Sequence, residues 1–391
     1  MKILVATDTY KPIINGVSVV AELHAKELKR RGEDVKVLTL TEREESYRED
    51  YVYFLPSYPS HIYPDWKKTH IRKHPFIDEI IRWKPDVIHI HSEGSICAIA
   101  KRIAAACGDT PYVMTTHTDF ATYAFGKYHD TFPVSLLMST LGYFAYRRAK
   151  VVTLPSEKAG DFQQNKHNKK KAVVVPNGID LQRYRKPVTP EERKELLDTY
   201  GIRDNGKILL ALSRISKEKR IQDLLSYLPS LLEADPEIQL VVVGDGPYKQ
   251  DLEELAEKLG IASSVVFTGR IPPDEVYRFY DIGTIFVSTS NFEVHSLTFL
   301  EAISRGLPLI CLKDPSLKGV LMDGEDGFTF EGKDDFCDCV LRLLNDKELY
   351  QSMRENALKV SENFSEEAFV DRMMEIYEKI LKEDQNGETD A

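Results

Sequence analysis

Glu293 and Glu301 are separated by seven residues in the run EVHSLTFLE, which follows the apolar segment GTIFV at 283–287 and enters an amphipathic pattern. Were both helical, the two carboxylates would lie about two turns, roughly 12 Å, apart along the axis. That span suits one elongated ligand. With Glu293 on the loop, its carboxylate can accept from sugar hydroxyls while Glu301 takes a ribose diol. The amides of Leu297 and Thr298, at the start of the helix, would then face a diphosphate. A solvated pair of surface glutamates is the plainer reading of the same spacing.

A second group follows the apolar run KILLAL at 207–212: the segment SRISKEKR, with Arg214 and Lys219. Fixed cations here would neutralise a departing nucleoside diphosphate as its bond to a sugar breaks, with no divalent ion required. A solvated basic helix start is the alternative, although positive charge at a helix N-terminus is locally unfavourable. His117 closes the run at 111–115 within TTHTDF, so it stands where a parallel strand delivers functional side chains. Gly16, in Asn15-Gly16-Val17 after the first strand, offers positive φ and close backbone approach to a phosphate, or a simple turn. Gly244 and Gly246 in GDGP read as turn and cap chemistry, with Pro247 starting a helix.

A basic cluster with an interfacial aromatic, Trp66, Lys67, Lys68, Arg72 and Lys73, is joined by a second, Lys166 with Lys169, Lys170 and Lys171. Such clusters are drawn to an anionic leaflet by about 1 kcal/mol per charge; a solvated basic face is the alternative. The aromatics Phe120, Tyr123, Phe125, Tyr128, Phe132, Tyr143, Phe144 and Tyr146 read as core, with a lipid groove as the second reading.

These residues need a scaffold. Short apolar runs at 2–6, 35–40, 86–90, 111–115, 151–154 and 172–175 alternate with helical periodicity, and the pattern restarts at 207–212, 238–243, 264–267, 283–287 and 307–312. That predicts two α/β domains, each a doubly wound parallel sheet, with ligands at the carboxyl ends of the strands and hence in a cleft. The first helix is expected over about 19–31. Residues 176–206, with three prolines and no long apolar run, mark the connection, giving domains at 1–185 and 186–370. Residues 371–391 form a C-terminal helix and tail, whose return to the N-terminal domain stays open. Within 333–384, Leu341, Leu343, Leu344, Leu349, Phe369, Met373, Met374, Ile376, Tyr377 and Ile380 are the expected apolar positions of helices.

Charge divides unevenly. Residues 1–180 carry 26 Lys and Arg against 21 Asp and Glu, while residues 181–391 carry 26 against 41. A basic half beside an acidic one suggests that one domain meets an anionic surface. No apolar run approaches the roughly 18–20 residues needed to cross a bilayer. The start at Met1 leads directly into a strand, so the expectation is a cytoplasmic protein peripheral to the inner membrane face, with no nucleic-acid partner. Five scattered cysteines match neither a disulfide framework nor a zinc spacing, and no metal is assigned.

Seven segments carry a family resemblance in order: TDTYKPIINGVSVVAELHAKELKRRG, TTHTDFATY, VVPNGID, SRISKEK, VVVGDGP, VVFTGRIPPDEV and SLTFLEAISRGLP. Together they span nearly the whole chain. The sequence resembles the retaining glycosyltransferases of the GT-B fold, the family of sucrose, mannosyl and glycolipid synthases. TDTYxPxxxGV, HTxFxxY and LTFLEA make it look most like the bacterial diacylglycerol glucosyltransferases. The resemblance implies two Rossmann-like domains facing across a cleft, with the acceptor held by the first and a nucleotide-sugar donor by the second.

By residue, it implies Glu293 on the donor sugar, Glu301 on the ribose, and Arg214 and Lys219 on the diphosphate. His117 falls near the reacting centre, Gly16 near the phosphates, and the backbone at Arg270 and Ile271 near the base. Ser296, Leu297 and Thr298 complete the donor site. Transfer of a hexose from UDP-glucose or UDP-galactose to a lipid such as diacylglycerol, by front-face displacement without a cofactor, is the implied reaction. Ser296 stands where the family has glycine, and Val294-His295 replaces its commoner pair, so the hexose stays open. A polysaccharide or lipid-linked precursor as acceptor, a nucleotide-sugar epimerase, and a non-catalytic sugar or lipid binder are the alternatives.

Overall fold

The computed structural model describes residues 1–59, 67–117, 146–161 and 172–386. It divides into two compact units, Met1–Gly178 with Glu366–Ala391, and Ile179–Ser365.

In the first unit the strands are β1 (Lys2–Ala6), β2 (Asp34–Thr41), β3 (Tyr47–Glu49), β4 (Val52–Pro56), β5 (Tyr58–Pro59), β6 (Lys67–Lys68), β7 (Val87–Ile90), β8 (Tyr112–Thr115), β9 (Val151–Leu154) and β10 (Ala172–Val174). Eight of them form one sheet in the order β10-β9-β8-β7-β1-β2-β4-β3. All neighbours are parallel except β3 and β4. Ile3, Leu4, Val5 and Ala6 are fully buried, as expected of a central strand covered on both faces. β1 lies between β2 and β7, so the order reverses there, at the topological switch point.

The first helix, Gly16–Arg30, begins three residues before its expected start, because Asn15 and Ser18 form a reciprocal capping box. The last helix, Glu366–Gln385, belongs to this unit and buries Phe369, Val370, Met373, Tyr377 and Ile380 along one stripe. Arg31, which caps the end of the first helix, pairs with Asp371 on the last at 2.6 Å.

The second unit contains β11 (Ile208–Leu212), β12 (Gln239–Val243), β13 (Val265–Gly269), β14 (Ile285–Ser288), β15 (Leu309–Leu312) and β16 (Gly327–Phe330), ordered β13-β12-β11-β14-β15-β16 and entirely parallel. This is the Rossmann order, with its switch point between β11 and β14. Alternate side chains feed two separate cores: Ile208, Leu210, Val241, Val243 and Phe286 on one face, Leu209, Ala211, Leu240, Val242 and Ile285 on the other. The period of two explains why the runs are apolar throughout.

Residues 176–206 are not a bare connection. Helices Leu181–Tyr184 and Pro190–Tyr200 bury Leu181, Tyr184, Leu196 and Leu197 in the same core as Ile208. Thr189 and Glu192 form a capping box, Pro190 opens the second helix, and Gly201 closes it at φ 62°. The prolines and charges that looked like a linker are helix punctuation. The units accordingly divide at 178/179 and 365/366, upstream of the expected 185/186 and 370/371. Strands β3 to β6 and β16 were not anticipated, since short runs such as VYFLP carry no period that separates strand from helix.

Candidate functional site

The carboxyl ends of β13, β12, β11 and β14 are laced together through their loops. Ser213 N–H donates to Val243 O at 3.1 Å, Ile215 N–H to Asp245 O at 3.0 Å, and Gly244 N–H to Gly269 O at 3.1 Å. Gly244 has φ +139°, and a Cβ there would lie 2.0 Å from the Ser213 carbonyl oxygen; one at Gly246 would lie 2.2 Å from that of Ile215. These glycines therefore seat the SRISKEK loop by close backbone approach, a larger role than the turn chemistry read from sequence.

On that loop Lys217–Lys219 make one 3-10 turn, and Arg220 follows with φ 54°, in the left-handed region. Thr289, just past β14, fixes this bend by donating its hydroxyl to Arg220 O at 2.7 Å. Lys219 is thereby turned toward the β14 loop, where its Nζ meets Glu293 Oε1 at 2.6 Å. Glu293 lies on the loop and the helix Leu297–Ser304 begins four residues later, so the two acidic residues do not share a helix. Ser296 precedes that helix without capping it; its hydroxyl instead meets Thr298 Oγ1 at 2.9 Å. Lys219, Glu293, Thr298, Ser213, Thr289 and Ser290 line one pocket at this end of the sheet. A cation, a carboxylate and the start of a helix thus converge at the switch point, a combination suited to a phosphorylated, hydroxyl-rich ligand. Arg214 is exposed on the same loop.

Glu301 is buried, at 8% exposure, and both its oxygens are engaged: Tyr184 donates at 2.7 Å and Tyr280 at 2.6 Å. Burial pushes its carboxyl above the usual range. Neither tyrosine was legible as its partner. Ile271 packs against the core of this unit and Arg270 is exposed just after β13.

In the first unit, the carboxyl ends of β1, β7 and β8 gather a different chemistry. Asp8 accepts from the amides of Gly94 and Ile96 at 3.1 and 3.0 Å, capping the helix Ser95–Ala106 from another loop. A Cβ at Gly94 would strike the Asp8 carboxylate at 2.4 Å. Glu93 accepts from Tyr146, which in turn receives a bond from Thr116 at 2.8 Å. Burial lifts Asp8, and lifts Glu93 to about 7, where the Asp8 charge adds to the effect. His117 stands two residues past the end of β8, and burial lowers it to about 4. Its Nε2 meets His91 Nδ1 at 2.9 Å. Asp8, Glu93 and His91 were missed; the signal for the last was the run VIHIH, one histidine inside an otherwise apolar buried strand and a second just past its end.

Gly16 does not have the positive φ expected of it. It is the first residue of its helix, exposed, and a Cβ there would meet nothing within 4 Å. Of the basic residues, Lys67 pairs with Glu42 at 2.8 Å and Lys68 sits over the Tyr58 ring at 5.5 Å, so neither is part of an unpaired basic face. Arg72 and Lys73 are exposed. Trp66, Lys166, Lys169, Lys170 and Lys171 lie outside the described residues, as do Phe120, Tyr123, Phe125, Tyr128, Phe132, Tyr143 and Phe144.

Comparison with known proteins matches residues 192–360 to the family described as "Glycosyl transferases group 1" and residues 14–183 to "Glycosyltransferase Family 4". The alpha-monoglucosyldiacylglycerol synthase of Streptococcus pneumoniae is 32% identical over 350 residues, spanning 88% of this chain and 78% of that one. Its namesake in Acholeplasma laidlawii is 25% identical, spanning 96% of each. Among solved structures, Anabaena HepE in complex with UDP superposes with a TM-score of 0.75 at 17% identity, covering 97% of this chain and 100% of that one. The catalytic domain of starch synthase IV from Arabidopsis thaliana, bound to ADP and acarbose, gives 0.73 at 16%, covering 97% and 99%. At such identities the likeness is one of fold.

Proposed function

The chain belongs to the group 1 glycosyltransferase family and has the GT-B fold, and from that premise we propose that it transfers a hexose from UDP-glucose or UDP-galactose to diacylglycerol, with the α configuration retained. The observation that carries the donor side is the Lys219–Glu293 contact beside the start of the helix Leu297–Ser304. Lys219, with Arg214, neutralises the diphosphate as it leaves, and the first amides of the helix share that charge, so no metal is needed. Glu293 orients the sugar through its hydroxyls. Glu301, which uses two of about four acceptor positions on the tyrosines, offers the rest to the ribose. The anomeric carbon–oxygen bond breaks with its electron pair on the phosphate. The acceptor oxygen bonds to the same face, and its proton passes to the freed phosphate oxygen. His117 serves the transferred sugar.

The acceptor rests on the two synthases, whose names specify a glucosylated diacylglycerol. No helix among the described residues is long and apolar enough to cross a membrane. Access to a lipid is therefore proposed through peripheral contact with the inner face of an anionic membrane, using Arg72, Lys73 and Lys169 to Lys171.

The test is incubation of the purified protein with labelled UDP-glucose or UDP-galactose and vesicles with or without diacylglycerol. Labelled lipid that requires diacylglycerol supports the reading. Free epimerised donor, or label only on a polysaccharide, overturns it. Equal rates on vesicles lacking anionic lipid remove the membrane-surface part.

A further inference from the structure

Behind His117 runs an unbroken chain of hydrogen bonds, buried except at its His117 end. Thr153 Oγ1 meets Thr115 Oγ1 at 2.6 Å, and Thr115 Oγ1 meets His89 Nε2 at 2.6 Å. His89 Nδ1 bonds the Tyr377 hydroxyl, which reaches His24 Nε2 at 3.0 Å. His24 Nδ1 meets His91 Nε2 at 3.0 Å, and His91 Nδ1 meets His117 Nε2 at 2.9 Å. His24, His89 and Tyr377 are fully buried, His91 nearly so. The chain crosses three strands and two helices, and its central hydroxyl comes from the far end of the sequence.

A neutral imidazole carries one N–H and one lone pair, so it can only donate at one nitrogen and accept at the other. Burial lowers His24 to about 3, His117 to about 4, and His89 and His91 well below the usual histidine range. All four are therefore neutral near pH 7. The Tyr377 hydroxyl has a single proton and touches two ring nitrogens, so it donates to one and accepts from the other. Satisfying every contact leaves two arrangements. Either all four rings carry the proton on Nδ1, or all four carry it on Nε2.

We propose that this chain is a directional relay that sets the tautomer of His117, and with it whether His117 Nδ1 donates to a sugar hydroxyl or accepts from one. Tyr377, His24, His91 and His89 are its positioning residues. The inference rests on the reading that His117 serves the transferred sugar. His24, His89 and His91 also offer ring nitrogens within 4.8 Å of one another, as a metal would require. Every ring nitrogen of the three is already in a hydrogen bond, however, and the His24–His91 contact needs a proton where a metal needs two lone pairs.

Nitrogen-15 ring shifts of the histidines in the full chain, near neutral pH, read the tautomers directly. The expected result is one shared tautomer across the four rings. In Tyr377→Phe, His24, His91 and His117 should become tautomer mixtures together. Turnover should fall by about tenfold to a hundredfold at unchanged donor KM, the scale seen when a metal-bound histidine loses the partner behind it. Should Tyr377→Phe fail to fold, His24 variants decide. Gln keeps one donor and one acceptor in line and should retain more turnover than Leu, with His117 less mixed. Opposite tautomers among the four wild-type rings, an unaltered His117 in Tyr377→Phe or both His24 variants, or one equivalent of tightly bound zinc overturns the relay. If instead His117→Ala leaves turnover intact, the assignment of His117 to the sugar fails, and the ring shifts still judge the relay.

Discussion

The two units share the order of six parallel strands, β4-β2-β1-β7-β8-β9 in the first and β13-β12-β11-β14-β15-β16 in the second, and a switch point within it, yet the groups they gather there are opposite in character. The second unit brings a charged pair, Lys219 and Glu293, with Arg214 nearby. The first brings neutral imidazoles and two acids that burial holds toward protonation, Asp8 and Glu93. Bulk charge runs the other way: the second unit, Ile179–Ser365, carries 23 Lys and Arg against 33 Asp and Glu, yet it is there that Lys219 sits in the pocket. Topology therefore decides where a site lies, while the loop residues decide its sign, and the net charge of a unit reports on its surface rather than its ligand.

From this contrast the largest effect is expected on discharging the charged end. Lys219→Ala, and separately Arg214→Ala, should lower kcat by roughly 10²–10³, about 2.7–4 kcal/mol of transition-state stabilisation. Both variants should fold normally, and unaltered turnover with either would remove that residue from the phosphate.

The neutral end should respond to pH in stability. Glu93 is raised from 4.5 in the unfolded chain to about 7 when folded. Its contribution is fully present below pH 4.5 and is lost as pH rises through 7. Glu93→Gln keeps an acceptor for Tyr146 but cannot ionise. It should match the wild type in acid and exceed it by about 3 kcal/mol in urea unfolding at mildly alkaline pH. A constant difference across the range would mean that Glu93 ionises freely in the fold.

Between these lies Glu301, charged in type but buried like the acids of the first unit. Tyr280→Phe removes one of its two donors and should cost about 1.5–3 kcal/mol of stability, the scale of a hydrogen bond to a charged or chargeable group. Thermal unfolding would show it; an unshifted midpoint would mean that Tyr184 and solvent satisfy the carboxyl alone.

How much of this was readable beforehand depended on distance along the chain. Apolar runs revealed the strands, since doubly covered parallel strands are apolar on both faces. Lys219 and Glu293 were legible because each follows a strand on its own loop. The tyrosines on Glu301 were not, since one is 117 residues away and nothing local marks it. Tyr377 fell on the buried stripe of its helix and read as packing, and its hydroxyl acquired meaning only when His24 and His89 arrived from distant elements. Gly244 and Gly246 looked like turn residues because the carbonyls they admit belong to a loop about thirty positions earlier.

Gly16 gives the smallest effect and separates stability from binding most cleanly. It opens its helix, its φ is not positive, and a methyl group there would meet no atom within 4 Å. Ala at this position should therefore raise stability by about 0.4–1 kcal/mol, by narrowing the unfolded ensemble. Open space around a helix start is also what a phosphate needs in order to reach the first amides. If the donor diphosphate comes that close, Gly16→Ala should raise the donor KM several-fold while the protein becomes harder to melt. A gain in stability with unchanged KM would confine phosphate recognition to Arg214, Lys219 and the Leu297 helix, leaving the glycine with a purely conformational role at the capping box.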